Sequence, residues 1–193
     1  MAMQTLNMPP FPPLQWNECF WVGDVILPSW AGCQSRGGAY GSVSSDAKSN
    51  GSAQLTVAPE DEDARTPPLP EQVRAYQWLL ENEPAIAASV LRSLFAAYPG
   101  WRNAYGYDDE VAAALMPEIN GAEQLRTLIG LSNVHILSVA RDGVAYLGFQ
   151  FGCTWDEEHG LGVMTYRDRV VEVGGADTSF LAWIAEGDAE LQE

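Results

Sequence analysis

The chain has almost no lysine. Lys48 is the single one, and nine arginines bring the basic residues to 10 against 26 acids, a formal net charge of −16. So little positive charge argues against a general nucleic-acid binder, which must neutralise phosphates with Lys and Arg. It argues equally against docking on anionic membrane surfaces, which attract clusters of the same two residues.

Cysteine is scarce as well. Cys19, Cys33 and Cys153 are odd in number and contain no C-x-x-C pair, so no disulfide framework is expected and a reduced, cytoplasmic compartment fits best. No basic residue precedes Arg36, and the first residues carry Pro9, Pro10, Pro12 and Pro13 in place of an apolar core, which is not the pattern of a signal peptide. No apolar run approaches the roughly 20 residues that a membrane-spanning helix needs. Gly-x-Ser-x-Gly is absent. The run Gly37-Gly38-Ala39-Tyr40-Gly41-Ser42 lacks the Gly-Lys-Ser/Thr ending of a phosphate loop and does not open a helix. No internal repeat is visible.

What is present suits one α+β domain over residues 1–193, 47% of them hydrophobic. Residues 1–70 read as a loop-rich part with short strands. Trp21–Leu27 is a candidate strand stopped by Pro28, Gly32–Ser52 is turn material, and Gln54–Val57 is one further short strand. Glu60-Asp61-Glu62-Asp63 and Pro67-Pro68-Leu69-Pro70 read as an acidic, proline-stiffened linker.

Residues 71–130 read as helical. Val73, Tyr76, Leu79 and Leu80 repeat at helical spacing, and Asn82 with Pro84 suits the start of a second helix. Ile86, Val90, Leu91, Leu94, Phe95 and Tyr98 form that helix's apolar face, which Pro99-Gly100 would end, so the two make a hairpin or kinked pair. A third short helix begins near Asp108-Asp109-Glu110 and stops before Pro117.

Residues 131–193 read as an antiparallel sheet and a terminal helix. Val134–Val139, Val144–Phe151, Leu161–Tyr166 and Val170–Val173 are separated by connections too short for parallel crossovers. The expected architecture is thus an antiparallel β-meander in the C-terminal third, packed with a helical hairpin from the middle third.

Charge is concentrated at the end: residues 131–193 hold eleven acids against three bases, a net of −8. The densest chemistry lies in Cys153-Thr154-Trp155-Asp156-Glu157-Glu158-His159-Gly160. Three carboxylates and an imidazole suit a divalent cation, but the spacing matches neither a helix-borne zinc motif nor a calcium loop. Cys153 and His159 could form a nucleophile and its base, although no orienting third residue is recognisable. The structural reading is a charged hairpin loop with Gly160 at positive φ, and Trp155 packed at the sheet end. His135, within an apolar strand, reads as a satisfied core residue.

The string Trp155-Asp156-Glu157-Glu158-His159-Gly160-Leu161-Gly162-Val163, followed by Val170-Val171-Glu172-Val173-Gly174, resembles a bacterial domain family of unknown function. Leu27-Pro28-Ser29-Trp30-Ala31-Gly32 and the helix start Pro70-Glu71-Gln72 extend the resemblance. Members and relatives of such a family are often encoded beside polymorphic or secreted toxins, where they look like immunity proteins. The resemblance therefore implies a non-enzymatic binding protein that neutralises a cognate toxin, and it carries no residue roles.

The charge is consistent with this, because a strongly acidic inhibitor is steered towards a basic active-site surface. The expected partner-binding residues are Asp156, Glu157 and Glu158, then Asp108, Asp109 and Glu110, with Trp155 as an aromatic anchor. No catalytic residue, metal or cofactor is expected, and neither nucleic acid nor membrane is an expected partner. The alternatives are a metal-dependent or Cys-based enzyme centred on the Asp156–His159 loop, and a housekeeping adaptor.

Overall fold

A computed structural model describes residues 5–61 and 65–191. Among the described residues eight strands form one sheet in chain order: β1 (Thr5–Leu6), β2 (Leu14–Trp16), β3 (Trp21–Gly37), β4 (Val43–Val57), β5 (Ile129–Arg141), β6 (Val144–Cys153), β7 (Leu161–Tyr166) and β8 (Arg169–Gly174). All neighbours are antiparallel except β4 and β5, which run parallel with Leu55 beside Val134 and Val57 beside Ile136. A parallel neighbour needs a long crossover. Here it is supplied by α1 (Pro70–Tyr105) and α2 (Asp109–Leu115), while α3 (Ala182–Glu190) closes the chain. The fold is α+β, and the meander of the last third is present as β5 to β8.

The N-terminal third departs from the loop-rich expectation. β3 and β4 are 17 and 15 residues long and form a hairpin through the Gly32–Ser52 stretch. Pro28 does not stop β3. The register jumps from Ile26 opposite Ser52 to Ala31 opposite Asn50, so Pro28 sits in a bulge where no ladder hydrogen bond is required of it. The displaced backbone is bonded elsewhere: Ser29 N–H donates to the Glu83 carboxylate of α1 (2.7 Å), and Ser29 C=O accepts from Arg126. Trp30 and Cys33, just beyond, are buried.

The helical hairpin is also corrected. α1 is one helix of 36 residues that runs through both Pro84 and Pro99. Asn82 does not cap a second helix; its Nδ2 donates to Trp78 C=O one turn back (3.0 Å). A proline inside a helix costs about 3 kcal/mol. The penalty is offset because Leu79, Glu83, Ile86, Ala87, Val90, Leu91, Leu94 and Tyr98 form one unbroken buried stripe, while both prolines lie on the exposed side. The helix ends at Gly106, which adopts the left-handed conformation (φ 59°, ψ 32°) of a helix C-terminus. No helix among the described residues is long and apolar enough to cross a membrane.

Gln72 fixes where α1 meets the sheet. Its fully buried amide accepts from Leu69 N–H (2.8 Å) and donates to Ala58 C=O (2.7 Å) and Leu137 C=O (3.0 Å). From there α1 covers one sheet face, built from Val134, Ile136, Leu147, Phe149, Phe151 and Val163. The other face carries Leu137, Tyr146, Met164 and Tyr166 under Ile184 and Ala185 of α3. Asp188 holds α3 in place by accepting from Tyr146 hydroxyl (2.8 Å) and pairing with Arg169. The turn before α3 lies so close to the sheet that a Cβ at Gly148 would stand 1.6 Å from Ser179 C=O.

Candidate functional site

The β6–β7 loop is built around Asp156. Its carboxylate accepts from Tyr105 hydroxyl, from His159 N–H (2.9 Å) and from the His159 ring Nδ1 (3.0 Å). Its backbone carbonyl accepts from Gly160 N–H (3.0 Å) and from the Cys153 thiol (3.4 Å). Burial alone would raise the carboxyl pKa, but the donated hydrogen bonds outweigh it and the net shift is downward. Gly160 has a positive φ of 56°, as the charged-hairpin reading requires, and a Cβ there would lie 2.7 Å from Tyr40 C=O at the β3–β4 hairpin tip.

Trp155 is 3% exposed. Its ring packs edge-on against Tyr98 (5.4 Å between centroids) and beside Trp101, so it fills the core at the sheet end and offers no aromatic anchor to a partner. Tyr107 hydroxyl donates to Trp155 C=O (2.8 Å), and Tyr105 and Tyr107 stack on each other. Through these two tyrosines the segment after α1 is bound to the β6–β7 loop. The segment carrying Asp108-Asp109-Glu110, which follows directly on Tyr107, is thereby tied to the loop that carries Asp156-Glu157-Glu158.

The carboxylates of this end have different duties. Asp108 caps α2 by accepting from Val111 N–H (2.9 Å), and Asp156 is committed within its loop. Glu157 lies 3.6 Å from Arg36, whose side chain is only 2% exposed. Two other guanidinium nitrogens of Arg36 donate to the Gln34 side chain, while Nη1 has no hydrogen bond among the described residues. Asp109, Glu110 and Glu158 are exposed, and among the described residues none of the three is in an ion pair. Of the third acidic run, Glu62 and Asp63 lie outside the described residues.

The geometry does not favour Cys153 as a nucleophile. The thiol is fully buried, its pKa is pushed up to about 12 by desolvation, and it donates to Asp156 C=O. His159 is exposed and turned to the Asp156 carboxylate instead. Among the described residues no group of three or more His, Cys, Asp or Glu is placed to hold a metal ion.

A concavity, absent from the sequence-based expectations, opens on the sheet face away from α1. It has a volume of about 710 Å³ and lies between the β4–β5 pair, the β3–β4 hairpin tip and the start of α3. His135 and Thr56, paired across β4 and β5, line it, with Phe20, Tyr40 and Phe180 around them and Glu60 and Glu186 also in its wall. Phe20, Tyr40 and Phe180 are each about two-fifths exposed (40%, 43% and 39%). His135 is hydrogen-bonded, but it faces this cleft rather than a closed core. The only sequence signal was the polar alternation Gln54, Thr56 and Asn133, His135, which marks one strand face as not purely core.

The fold and these two surfaces define a mixed α+β protein whose sheet presents an acidic end and a separate aromatic-rimmed cleft. Residues 40–181 match the model of DUF6985, a domain of unknown function, and the chain belongs to that family. The match includes Trp155–Val163 and Pro70-Glu71-Gln72, whereas Leu27–Gly32 lies before it. No curated protein and no solved structure matches the chain.

Proposed function

We propose that this chain is a non-enzymatic binding protein of the immunity type, which neutralises a cognate protein toxin through its acidic end. The observation that carries the reading is the pair of tyrosine tethers, Tyr105 to Asp156 and Tyr107 to Trp155. They bind the two acidic segments to each other, and Asp109, Glu110 and Glu158 on these segments are exposed and without a counter-ion among the described residues. A surface of one sign, held rigid before contact, raises the encounter rate with a basic partner and spares the cost of ordering a loop on binding. Cys153, buried and protonated, supports a structural role for the Cys-containing loop.

The test is co-expression with the protein encoded by the adjacent gene. The reading expects rescue of cells from that protein's toxicity and a one-to-one complex on purification. Replacing Asp109, Glu110 and Glu158 together by Lys should abolish rescue without unfolding the chain. Rescue that survives the triple reversal would refute the acidic surface, and the absence of any toxic neighbour would refute the immunity role.

A further inference from the structure

The cleft over His135 is chemically distinct from the acidic end, and its polar atoms are ordered by a short hydrogen-bond chain. Ser132 hydroxyl donates to Gln150 C=O (3.1 Å), so its oxygen is left to accept from the Gln150 side-chain amide (3.3 Å). In this orientation of the amide its oxygen faces His135 Nε2 at 3.3 Å. Nε2 must therefore carry the proton and donate. In the neutral ring Nδ1 is then a bare acceptor, and among the described residues it has no hydrogen-bond partner. Burial favours this neutral form, pushing the imidazole pKa down to about 4.

The remaining groups are equally one-sided. Glu60 and Glu186 are exposed carboxylates of the cleft wall, and neither is in an ion pair among the described residues. Among the described residues no Lys or Arg lines the cleft. Phe20, Tyr40 and Phe180 present aromatic surface, and Phe180 sits 5.3 Å from the His135 ring. An acceptor, two carboxylates and three aromatic rings together select against anions and suit a donor cation with an apolar body. The volume lies within the range of about 300–1,000 Å³ typical of small-molecule sites, far more than a single inserted lysine side chain would fill.

We propose that this cleft is a binding site for a small organic ammonium compound with an aromatic body. Its N–H group donates to His135 Nδ1, its charge is balanced by Glu60 and Glu186, and its ring packs among Phe20, Tyr40 and Phe180.

Phenethylamine is the probe, titrated into the full chain and followed by amide and imidazole chemical shifts. The expected result is saturable binding with shifts centred on His135, Thr56 and Phe180. Hydrocinnamate and phenethyl alcohol, of similar shape but anionic and neutral, should bind at least about tenfold more weakly, equivalent to about 1.4 kcal/mol. Trimethyl(phenethyl)ammonium keeps the charge and loses the N–H donors, so it should also weaken. The double substitution Glu60→Gln and Glu186→Gln changes only exposed side chains and should reduce phenethylamine affinity with an unchanged melting point. Absence of saturable shifts with phenethylamine would overturn the site, as would equal binding of the carboxylate or the alcohol. Equal binding of the quaternary compound would overturn the role of His135. Tighter binding of a lysine-containing peptide than of the free amine would overturn the small-molecule assignment.

Discussion

Tyr105 hydroxyl donates to the Asp156 carboxylate, joining the last turn of α1 to the β6–β7 loop across 51 residues of sequence. The same carboxylate takes two bonds from His159, so one acid organises the whole loop. Because these donors favour the ionised form, Asp156 titrates below its ordinary value.

A pH dependence follows from that direction. In the unfolded chain the carboxyl titrates near about 3.9. A lowered folded pKa means that the unfolded state binds more protons, so the contribution is complete above that value and is lost as pH falls through the folded pKa. Tyr105→Phe should lower stability by about 1 kcal/mol at neutral pH, below the roughly 1.5–3 kcal/mol of a buried bond to a charged group because the ring is partly exposed. Thermal melts should show the gap between wild type and variant closing at the acid end.

Charge reversal should separate scaffold from surface. Asp156→Lys removes the acceptor of three hydrogen bonds and should cost on the order of 2 kcal/mol or more. Glu158→Lys, at an exposed side chain, should stay within about 0.5 kcal/mol. In stopped-flow association with a basic partner, Glu158→Lys should slow the on-rate and flatten its salt dependence while the off-rate holds. Equal stability losses for the two variants would contradict the assignment of Asp156 to the scaffold.

Two glycines should respond with opposite signs to the same added methyl. At Gly148 the new Cβ would meet Ser179 C=O at 1.6 Å, so Gly148→Ala should destabilise by about 3 kcal/mol, the upper end for overpacking. At Gly100, within α1, a Cβ meets nothing within 4 Å. Gly100→Ala should therefore stabilise by about 0.5–1 kcal/mol through helix propensity. Denaturant midpoints of the two variants measure both.

His135 gives a second pH signature, of the unusual sign for histidine. Desolvation lowers its folded pKa to about 4, with the Gln150 hydrogen bond opposing the shift only in part. The unfolded ring titrates near about 6.5, so between these values the unfolded state binds the extra proton and stability falls as pH falls. His135→Gln should remove that part of the slope. An imidazole titrating at its ordinary value in the folded protein, read by NMR, would contradict the burial argument.

The β5–β8 meander was legible because alternating apolar residues and short turns such as Arg141-Asp142-Gly143 leave few other arrangements. The start of α2 near Asp108 was legible too, because helix-start signals act locally, although the capping bond from Val111 N–H to Asp108 was not read from the sequence. The long hairpin was not. Pro28 and the Gly/Ser-rich stretch carry local signals for a break, and the bonds that overrule them come from Glu83 and Arg126, which no local window contains. Trp155 has the composition of an interface anchor, and only its packing on Tyr98 and Trp101 makes it core.

By itself the sequence determined the acidic charge, the C-terminal meander, the positive φ at Gly160 and the helical character of the middle third, because each arises from composition or from neighbours a few residues apart. Tertiary structure decided the rest. It carried α1 through two prolines, since a continuous buried stripe outweighs two lost backbone donors. It paired β4 in parallel with β5, turned one sheet face polar around His135, and drew two acidic runs together through Tyr105 and Tyr107. These features depend on contacts between residues about 50 to 80 positions apart (Tyr105 with Asp156, Thr56 with Asn133), whose energies become available only once the chain has closed on itself.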